Sequence, residues 1–217
     1  MTRSTRALCF VLLAGAGSFS AWIRLQSRAD DDDTGPAIFR GGPPHVATPA
    51  MVKATEEMAQ RSAPLFRTAA SDGKTYSLAD LAREGPLALF FIKDRCPCSR
   101  AAEPFFNQLD EAYGDRVRFF GIIDGDVAVA QRWGAENHVP FPILCDPELK
   151  IVREYKAENS AYTVLVARGG TIERYWPGYS AEMLREAGER LARLAGVDVK
   201  PLDLNDAPDY LYSGCPY

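Results

Sequence analysis

The stretch Leu87–Arg100, LALFFIKDRCPCSR, carries the strongest structural signal in this sequence. Its first six residues, Leu87–Ile92, are all apolar, which predicts a central β-strand covered on both faces. Cys96 and Cys98 follow this strand after a short loop, and an amphipathic helix pattern begins directly after Cys98. A helix N-terminus lowers the pKa of a nearby thiol because the helix dipole favours the thiolate. The stretch therefore predicts a strand, loop and helix that carry reactive cysteines.

Positively charged and hydroxyl side chains lie next to these two cysteines. Arg95 directly precedes Cys96, and Ser99 and Arg100 directly follow Cys98. A cation close to a thiol favours its ionised form. We therefore predict that Arg95, Ser99 and Arg100 stabilise a thiolate at Cys96.

Patterns on both sides of the stretch predict an α/β domain. Asp72-Gly73 marks the turn of a short hairpin, and Ser77, Asp126 and Ser180 have the position and type of helix N-caps. Further strands are predicted at residues 117–123, 141–144, 162–167 and 171–176. This order of elements predicts a three-layer α/β/α domain with a central mixed sheet.

The ends of the chain have a different composition from the centre. Residues 7–23 form an uncharged, mostly apolar run with two arginines on each side, which predicts a signal peptide or an uncleaved membrane anchor. The protein is therefore expected outside the cytoplasm, in the periplasm or cell envelope, with or without its anchor. The predicted organisation is an export segment (1–25), a flexible tether with a possible short helix (26–62), the folded domain (63–196) and an irregular tail (197–217).

The overall composition limits the possible functions. A chain of 217 residues with 47% hydrophobic residues can bury one ordinary core. A formal net charge of −4 gives no signal for nucleic-acid binding. No phosphate-binding loop or organic cofactor motif is apparent, and no set of metal ligands is predicted. In an oxidising compartment disulfides persist, and the five cysteines are Cys9, Cys96, Cys98, Cys145 and Cys215.

Over residues 63–195 the chain resembles the redoxin branch of the thioredoxin superfamily. The residues that carry the resemblance are the strand and loop at 87–96, Pro104 eight residues after Cys96, and three short motifs: Ala63-Pro64-Leu65-Phe66, Asp72-Gly73-Lys74 and Phe141-Pro142-Ile143-Leu144. This branch groups thiol–disulfide oxidoreductases with peroxiredoxin-type peroxidases. The resemblance implies a thioredoxin-like fold and catalysis by cysteine.

The resemblance also assigns roles to the cysteines. It puts Cys96 at the attacking position, whereas the usual second cysteine is replaced by Ser99. The thiol that resolves a mixed disulfide is then either Cys98 or Cys215, since some redoxins carry a resolving cysteine on a C-terminal arm. A Cys96–Cys98 bridge would close a very small, strained ring and would be oxidising. The predicted catalytic residues are therefore Cys96, Cys98 and Cys215.

Two further departures from the family pattern affect the predicted activity. Peroxiredoxins carry a proline seven residues and a hydroxyl residue three residues before their cysteine, where this chain has Leu89 and Lys93. Ala161 stands where thioredoxin-like proteins have a cis-proline. A cis bond before a residue other than proline costs about 3–4 kcal/mol, so we expect a trans bond. Ser160 and Ala161 should then line a reshaped substrate groove.

The sequence thus predicts an exported or membrane-tethered thiol–disulfide oxidoreductase. Its partners would be disulfides or thiols of other exported proteins. Three alternatives remain open: a peroxiredoxin-like peroxidase, a redoxin that handles Cu(I), and a catalytically inactive interaction module. In a redoxin that handles Cu(I), two thiolates and an imidazole from His45 or His138 would hold this soft ion. Cys145 follows an apolar strand and is predicted to be a packing residue.

Overall fold

The computed structural model describes residues 45–217. Within this range the helices are α1 (Pro49–Met58), α2 (Leu78–Glu84), α3 (Pro97–Tyr113), α4 (Val127–Asn137), α5 (Lys150–Glu154) and α6 (Ala181–Ala195). The strands are β1 (Arg67–Ala69), β2 (Thr75–Ser77), β3 (Leu87–Ile92), β4 (Arg118–Ile123), β5 (Ile143–Cys145), β6 (Thr163–Val166) and β7 (Ile172–Trp176).

Five of these strands form the central sheet in the order β5-β4-β3-β6-β7. Strand β3 pairs in parallel with β4 and antiparallel with β6, and β4 pairs in parallel with β5. The sheet is therefore mixed, as predicted. Strands β1 and β2 form a separate antiparallel hairpin. All six residues of β3 are buried, which explains why this segment carries no polar residue.

Helices cover the central sheet on both faces. Successive side chains of a strand point to opposite faces, and neighbouring residues of β3 join different clusters. Leu89 packs in a cluster that includes Met51 of α1 and Leu81 of α2. Phe90 packs on the other side, where its ring stacks on that of Phe106 of α3 with centroids 4.0 Å apart. The arrangement confirms a thioredoxin-like α/β fold with a mixed central sheet.

The predicted helix caps are present. The side-chain oxygens of Ser77, Asp126 and Ser180 accept hydrogen bonds from the backbone N–H of the third residue onward, at 3.0–3.3 Å. Gly196 ends α6 in the left-handed conformation, with φ of 69°, which glycine adopts without strain. The five-residue helix α5 was not predicted.

Both ends of the described region belong to the packed fold. The short helix expected within residues 26–62 is α1, and its Met51 and Met58 are buried, so the packed region begins before Ala63. At the other end Tyr212 and Ser213 are also buried, so the tail, which is irregular as expected, is docked on the domain. The predicted export or anchor segment at residues 7–23 lies outside the described residues. Between residues 45 and 217 no helix has the length and apolar character needed to cross a membrane.

Candidate active site

The predicted cysteine loop joins the carboxyl end of β3 to the N-terminus of α3. Cys96 is the N-cap of α3, and its backbone N–H donates to the carbonyl of Lys93 at 3.3 Å. The helix begins at Pro97, two residues before the predicted start. Proline suits the first helical position because the N–H it lacks would have no partner within the helix. The local sequence thus holds the Cys96 thiol at the positive end of a 17-residue helix.

Two serines surround the Cys96 thiol. Cys96 is 3% exposed, and its Sγ lies 3.5 Å from Ser160 Oγ. Ser99 Oγ donates to Ser160 Oγ at 2.9 Å and accepts from the backbone N–H of Lys93 at 3.2 Å. Ser99 and Ser160, which were predicted for this site, therefore lie together at Cys96.

The two ends of the described chain bring a third thiol and an imidazole to the same place. Cys215 Sγ is 4.0 Å from Cys98 Sγ, His45 Nδ1 is 3.7 Å from Cys98 Sγ, and the three atoms lie within 4.8 Å of one another. Cys98 is 7% exposed, and Cys215 is partly exposed. The three predicted catalytic cysteines thus form one cluster, which we call the thiol cluster (Cys96, Cys98 and Cys215).

Backbone hydrogen bonds hold Cys215 at the cluster. The N–H of Ser160 donates to the carbonyl of Cys215, and the N–H of Gly214 donates to the carbonyl of Ser160, both at 2.9 Å. Pro216 bridges antiparallel to Asn159, and Tyr217 N–H donates to the carbonyl of Glu158 at 3.1 Å. Residues 214–217 therefore lie along residues 158–160 like a short added strand.

The cluster favours a thiolate at Cys96. The Cys98 thiol makes the largest contribution by donating a hydrogen bond to Cys96, which lowers the pKa of Cys96 below its ordinary value despite burial. Hydrogen bonds from Cys215, Ser160 and the backbone N–H of Ser99 lower this pKa further. Donation to Cys96 and burial raise the pKa of Cys98, while burial and the same donation raise that of Cys215. The arrangement therefore favours the thiolate at Cys96 over a thiolate at Cys98 or Cys215.

The two predicted arginines lie elsewhere. The side chain of Arg95 is 87% exposed and pairs with Asp94 at 3.5 Å. Arg100 pairs with Glu136 at 3.6 Å. Neighbouring thiols and hydroxyls, rather than either guanidinium group, are the main groups that lower the pKa of Cys96.

The loop before β6 has the trans geometry expected for Ala161. Residues 45–217 contain no cis peptide bond. Ala161 is buried and has a φ of 61°, in the left-handed region, and its N–H donates to the carbonyl of Phe91 at 2.7 Å. This hydrogen bond ties the loop to the end of β3 and so positions the adjacent Ser160 over Cys96.

The sequence offers Cys215 and His45 as candidates for this site, but it does not predict the backbone pairing that brings their segments there. The segment of His45 is held by Val46, which bridges antiparallel to Tyr212, and by the His45 carbonyl, which accepts from Ser213 N–H at 2.6 Å. No pattern of side-chain types predicts such backbone pairing. The other histidine, His138, is exposed at the end of α4. Cys145 is buried at the end of β5, away from the thiol cluster, and burial raises its pKa, which agrees with a packing role.

A buried, ionisable cysteine at the N-terminus of the helix that follows the central strand of a mixed sheet defines a redoxin, a thiol-based redox protein. The chain belongs to the AhpC/TSA family, whose model matches residues 59–175. The match includes Cys96 and Cys98 but neither His45 nor Cys215.

Several solved structures have the same fold. A putative protein disulfide isomerase from Bacteroides thetaiotaomicron is 21% identical, with a TM-score of 0.59 over 64% of this chain and 90% of that one. A secreted disulfide oxidoreductase from Mycobacterium tuberculosis, homologous to E. coli DsbE, is 26% identical, with a TM-score of 0.51 over 59% of this chain and 96% of that one. The peroxidoxin BcpB from M. tuberculosis is 18% identical, with a TM-score of 0.53 over 65% of this chain and 98% of that one. No curated protein sequence matches this chain.

Proposed function

We propose that the protein is a thiol–disulfide oxidoreductase in which Cys96 is the nucleophile and Cys215 resolves the mixed disulfide. The observation that carries this proposal is the convergence of three thiols at the end of the central strand, where the Cys215 thiol contacts both Cys96 and Cys98. The lowered pKa of Cys96 supports it because the thiolate is the attacking form of cysteine.

In the first step the Cys96 thiolate attacks one sulfur of a partner's disulfide. A Cys96–partner disulfide forms, and the partner's other sulfur leaves as a thiolate that takes up a proton. Ser160 and the N–H of Ser99, which contact the Cys96 sulfur, hold it in place for this attack.

In the second step the Cys215 thiolate attacks the Cys96 sulfur and releases the partner's second thiol. The partner gains two electrons and two protons, and Cys96 and Cys215 become a disulfide. Cys215 is better suited to this step than Cys98, since a bridge between Cys96 and Cys98 would enclose one residue and would be strained. The same steps in reverse would oxidise a partner's dithiol.

The docked tail also restricts access to Cys96. Cys96 is 3% exposed while residues 214–217 lie along residues 158–160. An extended segment of a partner could pair with residues 158–160 in the same way, since unpaired backbone groups beside a sheet accept added strands. We therefore propose that the tail lifts to admit a protein disulfide and returns with Cys215.

We also propose that these reactions take place outside the cytoplasm. The apolar run at residues 7–23 supports export, and the similar protein from M. tuberculosis is described as secreted. A reporter enzyme that works only outside the cytoplasm, fused after Tyr217, should be active in cells that produce the fusion. An inactive but intact reporter would contradict export.

Displacing the tail should slow resolution without removing any thiol. A Cβ on Gly214 would lie 2.1 Å from Ser160 Oγ and 2.8 Å from the Ser160 carbonyl carbon, closer than van der Waals contact allows. Gly214→Ala should therefore undock the tail. With a peptide disulfide as substrate, we expect the mixed disulfide on Cys96 to accumulate at least about tenfold over wild type, because the effective concentration of Cys215 at Cys96 falls.

Gly85→Ala is the matched control. A Cβ there meets no atom within 4 Å, and its backbone does not require glycine. This variant should turn over the peptide disulfide as wild type does. If Gly214→Ala resolves the mixed disulfide at the wild-type rate, Cys215 is not the resolving thiol.

A further inference from the structure

We infer that His45, Cys98 and Cys215 form a binding site for a soft, thiophilic metal ion, with Zn(II) and Cu(I) as the two candidates. The site shares thiols with the proposed redox chemistry but does not depend on it. It needs only that both thiols are reduced, and it adds a residue, His45, that has no part in the exchange steps.

The ligand atoms already have the spacing of a metal site. Cys98 Sγ is 3.7 Å from His45 Nδ1 and 4.0 Å from Cys215 Sγ, and all three atoms lie within 4.8 Å of one another. An ion bonded at about 2.3 Å to sulfur and about 2.0–2.1 Å to nitrogen would hold such atoms about 3.6–4.0 Å apart, for tetrahedral or trigonal angles. Two of the three separations match, and the third, from His45 Nδ1 to Cys215 Sγ, is at most 4.8 Å.

Contacts outside the ligand atoms hold the three ligands in place. The His45 carbonyl accepts from Ser213 N–H, and the Cys215 carbonyl accepts from Ser160 N–H. The His45 ring stacks on the ring of Tyr212, with centroids 6.2 Å apart. Cys98 lies in the first turn of α3. Since this scaffold orients the ligands without the ion, little ordering remains to oppose binding.

The chemistry of the ligands selects the ion. Two sulfurs and an imidazole nitrogen favour Zn(II) and Cu(I) over hard ions such as Mg²⁺ or Ca²⁺, which prefer oxygen. Binding releases the thiol protons of Cys98 and Cys215. Zn(II) prefers four ligands; the Cys96 sulfur contacts those of Cys98 and Cys215 but lies outside the group of three close ligand atoms, so it would have to move closer to become the fourth. Cu(I) needs only three ligands, so loss of the Cys96 thiol should weaken Zn(II) binding and leave Cu(I) binding unchanged.

Two of the three ligands come from segments on either side of the family region. The family model matches residues 59–175, so two of the three ligands, His45 and Cys215, lie outside the region that defines the family. The segment of His45 pairs with the tail that carries Cys215, through Val46 and Tyr212. The tail that would resolve a mixed disulfide therefore also brings the imidazole and the second sulfur together.

The test is a metal competition titration under anaerobic conditions. The reduced full-length protein is titrated with Zn(II), and separately with Cu(I), against a chromophoric chelator of known affinity. We expect one ion per chain. His45→Ala and Cys215→Ser should each weaken binding at least about 100-fold, since even residues outside the ligand set cost 10–100-fold when lost.

Two controls keep the result interpretable. His138→Ala removes the exposed histidine and Cys145→Ser removes the buried thiol outside the cluster, and both should bind as wild type does. The ion should also raise the thermal unfolding midpoint of wild type, because it binds the folded state, but not that of His45→Ala. The same measurement gives the unfolding transition of metal-free His45→Ala, and a cooperative transition shows that this variant is folded.

The outcomes separate the two candidate ions and separate this inference from the proposed function. Loss of Zn(II) binding in Cys96→Ser would identify a four-ligand zinc site, and retention of Cu(I) binding would identify a three-ligand copper site. Binding that is absent from wild type, or unchanged in His45→Ala or Cys215→Ser, would overturn the inference. Disulfide turnover by the metal-free protein is a separate readout, so either proposal can fail while the other stands.

Discussion

Cys96→Ser is expected to lower the rate of thiol–disulfide exchange by at least about a thousandfold, as loss of a nucleophile does in other enzymes. Serine has nearly the shape of cysteine and can keep the contact with Ser160 Oγ, which lies 3.5 Å from the Cys96 sulfur. It cannot form a disulfide. The measurement is the rate at which the full-length protein, with excess thiol, reduces a disulfide-linked protein.

Cys145→Ser is the matched control, since Cys145 is also buried but lies outside the thiol cluster. It should retain the wild-type rate. If Cys96→Ser and Cys145→Ser lose activity equally, or if Cys96→Ser stays active, Cys96 is not the nucleophile.

Glu103→Gln is expected to raise the free energy of unfolding relative to wild type, and this gain should be about 3 kcal/mol larger at alkaline pH than at acid pH. Glu103 is 2% exposed in the middle of α3, where its Oε2 accepts from Trp133 Nε1 at 3.1 Å. Its Oε1 has no hydrogen-bond partner within residues 45–217. Burial raises the pKa of Glu103 to about 7, because the charged form has lost its hydration.

The sign of this effect follows from linkage. Below the ordinary pKa of 4.5 the carboxyl is protonated in both the folded and unfolded protein, so its ionisation does not affect stability. As the pH rises through 7, the folded protein must ionise a buried group that is already ionised in the unfolded chain, and it loses stability. Glutamine is never ionised. Urea unfolding of variant and wild type at about pH 4 and about pH 8.5 measures the change.

Glu186→Gln is a control of opposite sign. Glu186 also accepts from a tryptophan, Trp176 Nε1 at 2.9 Å, but it pairs with Arg174 and Arg190, and these contacts lower its pKa. Its contribution to stability is present above its ordinary pKa and is lost as the pH falls through the lowered value. Glu186→Gln should therefore destabilise at neutral pH and less in acid. Equal pH dependence of the two variants would contradict the proposed ionisation of Glu103.

The elements predicted best are those whose own sequence carries the signal. The strand Leu87–Ile92 is confirmed to the residue because a run of apolar side chains has few other stable places. The helix from Asp126 to Asn137 is also confirmed, because its cap is a local hydrogen bond from Val129 N–H to the Asp126 carboxylate. The helix Lys150–Glu154 was missed because five residues are too few to show a helical period.

The candidate site was predictable only in part. Cys96, Ser99 and Ser160 lie together as expected, because the strand, loop and helix that hold the first two are local in sequence. The docked tail and His45 depend on backbone pairing between distant segments, such as Val46 with Tyr212, which leaves no mark on side-chain type. Arg95 and Arg100 were predicted to stabilise the Cys96 thiolate only because they lie close to Cys96 in the sequence. In the fold, their neighbours Asp94 and Glu136 attract them more directly than Cys96 does.

The most direct test of the thiol cluster is to map disulfides in the full-length protein after reaction with one equivalent of a peptide disulfide. Samples quenched with acid at increasing times are alkylated and analysed by mass spectrometry under non-reducing conditions. The proposed mechanism predicts a peptide adduct on Cys96 that gives way to a Cys96–Cys215 disulfide, and a lasting adduct on Cys96 in Cys215→Ser. A first adduct on any other cysteine, or no adduct at all, would contradict the proposal that Cys96 is the nucleophile.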